Sequence, residues 1–342
     1  MLKLPAFESD MVSMVMVKRW LPWLLKGVLS AGLIWFAFRN IDLGAAWTQA
    51  KTIDPAMLAL ALSLGVMQIL LGAVRWWLVL RALKAAFSAV QALLVYYIGV
   101  CFSIVTPVAG DALRMWKAHR SGLSLKSSVN SVMLERVVTI LGLVLLVAAT
   151  QPLLLARVPN IPGSWVFPLL SVLGVAGIVF LSQLDRLPHS LHRWRVVRGL
   201  AHLAGDTRLL FRQPGWSGGT LVVAIIGHAN LSVVAYVLAL GLGLGDKVDM
   251  IDCLVLVPPV ILALTLPISI AGFGVRENVM KAAFGYVGVD ETSATVLGLM
   301  FGLSGMVTAL PGGLLWLLSS DHPRPEEIAE VEHAVEDVPE EA

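Results

Sequence analysis

Apolar residues gather in eight long stretches along this chain: Leu21–Phe38, Ala56–Val74, Ala89–Ala109, Val129–Thr150, Trp165–Leu181, Thr220–Leu242, Met250–Ile270 and Thr295–Leu318. Crossing the hydrocarbon core of a bilayer takes about 20 mostly apolar residues in a helix, so most of these stretches are long enough to span. Two of them end in breaks that echo each other. SIVTPVAGDALRMW (Ser103 to Trp116) and TLPISIAGFGVREN (Thr265 to Asn278) both pass from an apolar segment through a proline to Ala-Gly, then three residues, then arginine. A repeated break with a charge, inside apolar sequence, marks a place where polar substrate chemistry is done.

Composition fixes the class. Hydrophobic residues make up 57% of the chain and charged ones 14%, against roughly 45–50% and about 25% in soluble domains. The expectation is an all-α polytopic protein of the cell (inner or plasma) membrane. Lys18 and Arg19 precede the first stretch, which is longer than a signal-peptide core and reads as a retained helix. Cys101 and Cys253 both lie in apolar stretches and suggest neither metal nor disulfide.

Charge then selects the topology. If all eight stretches cross, the better orientation, with the N-terminus outside, puts 14 basic residues inside and 9 outside. If Ala89–Ala109 and Met250–Ile270 instead enter and return on one side, with the N-terminus inside, the division is 17 to 6. The positive-inside rule favours the second arrangement: about six spanning helices plus two re-entrant helical hairpins, both termini cytoplasmic, with eight full spans as the alternative. Hairpin arms of about ten residues rise roughly 15 Å, half a bilayer. Gly99 in the first and Pro258-Pro259 in the second stand where the tips are expected, with Pro107, Gly110, Pro267, Gly272 and Gly274 as the breaks.

The same arrangement contains a repeat. Each half reads span, span, hairpin, span. An offset of 162 lays Ala56–Val74 on Gly218–Tyr236 and Val129–Thr150 on Glu291–Gly312. The hairpins open to opposite sides, which makes the halves, about 17–155 and 164–320 of a single membrane domain spanning 1–320, an inverted repeat of the kind secondary transporters use. Between them, residues 186–213 are strongly basic with one apolar face, as expected of a helix lying on an anionic leaflet. After Arg324 come eight acidic residues and no basic one, so 321–342 reads as a solvated, disordered tail.

Charges inside the apolar stretches are the candidate site. Glu135 and Arg136 fall near the start of the fourth stretch, where an arginine at mid-helix costs about 2.5–3.5 kcal/mol to insert. Asp111 and Arg114 flank the first break, and Arg276 and Glu277 the second. Helices broken at Pro107 and Pro267 free backbone groups that lipid cannot satisfy, so those breaks must line protein or water. Arginine suits bidentate phosphate recognition, so Asp111, Arg114, Glu135, Arg136, Arg276 and Glu277 form the candidate cavity for an anionic headgroup. Internal pairing of the same charges for purely structural ends is the competing reading. His228 and Asn230 join the candidate list, with interhelical hydrogen bonding as their other role. Arg75-Trp76-Trp77 reads as an interfacial anchor, and Gly298 with Gly302 as a close helix contact. The chain shows no Ser/His/Asp arrangement, no metal-spaced cluster and no phosphate loop, so neither a catalytic residue nor a metal or cofactor is expected, and any transport is passive or driven by an ion gradient.

The segment TPVAGDALRMWKAHRSGLSLKSSVNSVMLERVVTILGLVLL (Thr106 to Leu146) resembles the Pro-x-x-Gly-Asp-x-x-Arg, Gly-Leu-Ser and Glu-Arg pattern of the lysylphosphatidylglycerol synthase transmembrane-domain family. LPISIAGFGVRENVMKAAFGYVGVDETSA (Leu266 to Ala294) is similar to that family's Pro-x-Ser-x-x-Gly-x-Gly-x-Arg-Glu pattern. The likeness runs from about Val17 to Leu318. In that family the membrane domain is associated with lipid flipping, while a separate soluble domain transfers aminoacyl groups. This chain ends shortly after Leu318, so the resemblance implies a stand-alone flippase-like protein. The lipids it implies are phosphatidylglycerol types, plain or aminoacylated, polyprenyl-phosphate-linked glycans and hopanoid-related lipids. Two other functions stay open: an intramembrane transferase on lipid-linked substrates, with Asp111 or Glu135 as base, and a scaffold that recruits a lipid-modifying enzyme. Nucleic acid is not an expected partner.

Overall fold

The computed structural model describes residues 43–104, 107–158, 214–265 and 272–319, with a few isolated positions besides. Nine helices and no strands occur among the described residues: α1 (Leu43–Lys51), α2 (Pro55–Ala82), α3 (Ala89–Ser103), α4 (Pro107–Arg120), α5 (Leu125–Arg157), α6 (Pro214–Gly241), α7 (Met250–Leu264), α8 (Val275–Gly285) and α9 (Glu291–Leu318). The stretches Leu21–Phe38 and Trp165–Leu181, the basic segment 186–213 and the acidic tail fall wholly or almost wholly outside the described residues.

Local chemistry starts most of these helices. Asp54 accepts the Ala56 N–H at 2.7 Å with Pro55 in the first turn. Ser88 and Gln91 cap each other reciprocally, as do Asp249 and Asp252. Ser124 and Asp290 accept the Ser127 and Ser293 amides. Each side chain satisfies helix-end donors that have no partner within the helix. At the start of α7, Arg157 from the end of α5 donates to Asp249 at 2.6 Å. The Asp252 backbone N–H and this guanidinium hold the Asp249 carboxyl below its ordinary range.

Four helices, α2, α5, α6 from Gly215 onward and α9, are long and apolar enough to cross a membrane. The apolar helices α3 and α7 have 15 residues each and are about 22 Å long, short of the roughly 30 Å hydrocarbon core. Each packs on the helix after it, α3 on α4 and α7 on α8. The breaks fall later than the sequence suggests. α3 runs unbroken through Gly99 and ends at Ser103, while α7 runs through Pro258 and Pro259. Gly99 is a packing notch, because a Cβ there would stand 2.6 Å from Arg114 Cγ on α4. Gly110 is likewise no break. It lies inside α4, where a Cβ would overlap the Ser103 hydroxyl and the Gly99 carbonyl. Pro107 is the first residue of α4, a position that needs no N–H partner. Gly272 and Gly274 do break the second pair, at φ 75° and 80°, where a residue with a Cβ is strained. Pro267 lies outside the described residues.

Helix contacts exchange when the two halves are swapped. α2 packs on α3 as α6 packs on α7, and α4 on α5 as α8 on α9. Across the halves, α3 packs on α9 as α7 packs on α5, and α2 on α9 as α6 on α5. The most extensive contact of all joins α2 to α6. There the Asn230 amide donates to Gln68 Oε1 at 3.1 Å and to the Leu64 carbonyl at 3.0 Å, and residues 68 and 230 are 162 positions apart. These bonds tie α2 to α6. Two apolar cores form, one around Trp76, Leu80, Trp116 and Val132, the other around Leu238, Val257, Phe284 and Leu297, and the second also takes in Ala61 of α2 and Leu154 of α5.

If Gln68 and Asn230 stitch the halves, Gln68→Leu and Asn230→Leu are coupled. A double-mutant cycle on unfolding in micelles is expected to give about 0.6 kcal/mol, and no more than about 1.7. Strictly additive losses would remove the pair from the contact.

Candidate functional site

Three helices deliver charge to one buried point. Arg75 lies twenty residues into α2, Arg114 on the second turn of α4, and Glu135 ten residues into α5, or about 15 Å along that helix. Arg75 Nε donates to Glu135 Oε1 at 2.8 Å, and its Nη2 contacts the same oxygen. Both terminal nitrogens of Arg114 lie 3.3 Å from Glu135 Oε2. The Arg114 guanidinium also rests against the rings of Trp76 and Tyr96, 4.7 and 4.6 Å from their centroids. The glycine at 72 leaves the space into which the Tyr96 ring from α3 fits.

Asp111 and Arg136 extend this cluster. Arg136 grips Asp111 with a two-pronged contact, Nη2 to Oδ1 at 2.8 Å and Nε to Oδ2 at 3.0 Å. Asp111 Oδ1 is also 3.3 Å from Arg114 Nη1. Exposure rises outward: side chains of Glu135, Arg114 and Arg75 are 2%, 4% and 6% exposed, Asp111 13%, and Arg136 42%. Three guanidiniums against two carboxylates leave one positive charge. Breaking a buried pair by removing one partner costs about 3–5 kcal/mol, so these side chains fix α2, α4 and α5 in register.

A second cluster forms at the other break. Glu277, at the start of α8, accepts the Gly274 N–H through Oε2 at 2.6 Å and Arg276 through Oε1 at 3.0 and 3.2 Å. Asn278 donates to the Gly274 carbonyl at 2.6 Å. The Arg276 guanidinium sits 5.0 Å from the Phe273 ring centroid and fills the space that a Cβ at Gly302 would take on α9. Gly302 therefore makes room for a buried charge as well as for close helix packing. Among the described residues, no hydrogen bond or ion pair joins Arg276 or Glu277 to the first cluster.

Of the residues singled out in the sequence, Asp111, Arg114, Glu135 and Arg136 thus converge, and Arg276 with Glu277 stand apart. His228 borders the first cluster: its Nε2 donates to the Thr139 carbonyl at 3.0 Å, and the Thr139 hydroxyl, which donates to the Glu135 backbone carbonyl at 2.6 Å, lies 3.2 Å from the Glu135 carboxylate. Asn230 does not enter it and serves the α2–α6 contact. Arg75 and Trp76 are not an interfacial anchor. Both are buried, Arg75 on Glu135 and Trp76 with its Nε1 donating to Ser131 Oγ at 3.2 Å. Arg75 and Tyr96 are the site residues the sequence reading missed. The available signal was an arginine deep in an apolar run, with a glutamate inside another run to pair with it. No group of His, Cys, Asp and Glu among the described residues could hold a metal ion. A cleft of about 360 Å³ between α1 and α9 is lined by apolar side chains with Lys51 at its edge, and holds none of the cluster.

These features define a multi-pass α-helical membrane protein that buries a charged cluster within its helix bundle. The chain belongs to the family described as Lysylphosphatidylglycerol synthase TM region, which it matches over residues 23–313. No curated protein matches it.

The cluster makes a quantitative expectation. Glu135→Ala takes the carboxylate from buried Arg75 and leaves Arg114 with Asp111 alone, and is expected to destabilise the protein by about 3–5 kcal/mol, while Arg75→Met/Glu135→Leu is milder than that single change. Unfolding in micelles measures both. A Glu135→Ala variant as stable as the parent would show the pairs to be dispensable.

Proposed function

We propose that this protein moves a lipid with an anionic, phosphate-containing headgroup between leaflets, without chemical change to the lipid. The observation that carries the reading is the Arg75–Glu135–Arg114–Asp111–Arg136 cluster: a net positive charge on membrane helices, its outermost guanidinium, Arg136, half-exposed. Charged groups in membrane helices face the protein interior or water and mark substrate pathways, and guanidinium forks match phosphate oxygens. Family membership supports a role linked to lipid modification or transport.

The helix pattern suggests how movement occurs. The halves, in this reading, are inverted across the membrane, with α3–α4 opening to the cytoplasm and α7–α8 to the opposite side. Rocking about the α2–α6 contact then alternates access to the cluster while acyl tails stay in lipid. Arg276 and Glu277 serve the opposite-side opening. A transferase acting through Asp111 or Glu135 has less support, because guanidiniums already engage both carboxylates. Membrane lipid is the partner this reading requires.

Proteoliposomes of phosphatidylcholine with a trace of fluorescent phosphatidylglycerol test it, with dithionite quenching to follow leaflet exchange. The parent is expected to speed exchange, and Arg136→Ala to slow it about tenfold or more, a loss on the scale of one charge-assisted hydrogen bond. Arg136→Lys restores only part, since the fork is gone. Exchange no faster than in protein-free vesicles, or a new lipid species in the extract, would overturn the proposal.

A further inference from the structure

The two carboxylates of the first cluster are held differently. Glu135 is nearly sealed and engages Arg75 and Arg114, with Thr139 beside it. Asp111 sits at the open end, on the half-exposed Arg136 fork at 2.8 and 3.0 Å. A carboxylate held by a guanidinium through two parallel contacts has the geometry in which the same guanidinium takes two phosphate oxygens. Asp111 also has somewhere to go, because Arg114 Nη1 is already 3.3 Å from its Oδ1. That distance is long for a charge-assisted bond, as are both Arg114 contacts to Glu135, where 2.7–2.9 Å is about the usual range. Among the described residues the buried Arg114 Nε has no acceptor. The cluster thus holds guanidinium donors in excess of what its own carboxylates satisfy.

We infer that Asp111 stands in for the substrate's phosphate on Arg136, and that a singly charged phosphodiester displaces it to Arg114 during binding. The inference rests on the reading of this cluster as the headgroup site and adds the substrate's charge to it. With Asp111 in place the cluster carries one net positive charge, so one phosphodiester anion neutralises it, with three guanidiniums facing three negative groups. A phosphomonoester near its dianionic form leaves an uncompensated negative charge where desolvation penalises it. Asp111 therefore does two things: it keeps Arg136 paired when no lipid is bound, and it sets the headgroup charge that fits. Glu135 and Arg75 are positioning residues that hold Arg114 beside the exchange.

The test uses the full chain in neutral micelles and two soluble probes at pH 8, glycerophosphoglycerol as diester and glycerol phosphate as monoester, with binding measured calorimetrically. The parent is expected to favour the diester. Asp111→Asn, which removes the competitor and adds one positive charge, is expected to tighten both probes, the monoester by about tenfold or more, and so to reverse the preference. Asp111→Asn/Arg136→Ala loses that gain. Asp111→Glu keeps the competing charge and provides a second readout if Asp111→Asn does not fold: it leaves the diester preferred. Binding in Asp111→Asn no tighter than in the parent, a gain that survives without Arg136, or monoester preference in the parent or in Asp111→Glu would each overturn the inference. Leaflet exchange of fluorescent phosphatidylglycerol, run in parallel, separates it from the lipid-movement reading. Exchange without the probe effects defeats only the inference, whereas the probe effects without exchange support a site for soluble phosphodiesters and defeat the lipid reading.

Discussion

The burial of Glu135 between Arg75 and Arg114 is the constraint on which this molecule turns. An ionised side chain inside an apolar bundle is stable only if opposite charge and hydrogen-bond partners reach it. Here the partners come from different helices, so satisfying one carboxylate fixes α2 and α4 against α5. The ring walls of Trp76 and Tyr96 bring α3 into the same arrangement. Losing Glu135 takes the counter-charge from buried Arg75 and weakens that of Arg114. That interdependence explains how a site so unfavourable in lipid persists within one.

The helix–break–helix pairs supply the geometry. A full span crosses the bundle with its backbone polar groups already satisfied, whereas a shorter apolar helix that ends within the bundle brings its terminus and neighbouring side chains against the long helices. α3–α4 brings Asp111 and Arg114 to the α5 charges, and α7–α8 brings Arg276 and Glu277 to Gly302 on α9. The two ends are built unequally. An offset of 162 sets Arg114 on Arg276 but Glu135 on Leu297 and Arg75 on Val237. Lacking a carboxylate from its long helix, Arg276 takes its counter-ion from the adjacent Glu277, which also caps α8. Only the first half carries the larger cluster.

Much of this was legible in the sequence where the signal is local or periodic. The long apolar runs became α2, α5, α6 and α9. Glu135 and Arg136 stood out because charge in an apolar run has few tolerable explanations. What failed depended on side chains brought together from a distance. Arg75 looked like an anchor because two tryptophans follow it, and only the fold reveals Glu135 sixty residues away as its partner. Gly99 and Pro258-Pro259 looked like tips, yet packing overrode those local breakers and moved the turns downstream. The hydrogen bond between Gln68 and Asn230 could not be read from either residue alone.

Opposite orientation of the two halves is what alternating access to the cluster requires. Ser121 and Tyr286 each follow the second helix of a pair, and both are exposed. Single cysteines at these positions, in a Cys101→Ala/Cys253→Ala background, can be challenged on intact cells with a membrane-impermeant thiol reagent. Inverted halves predict labelling at 286 and none at 121 until the cells are opened. Labelling of both positions from the outside, or of neither until lysis, would contradict the inverted arrangement and with it the route proposed for the lipid.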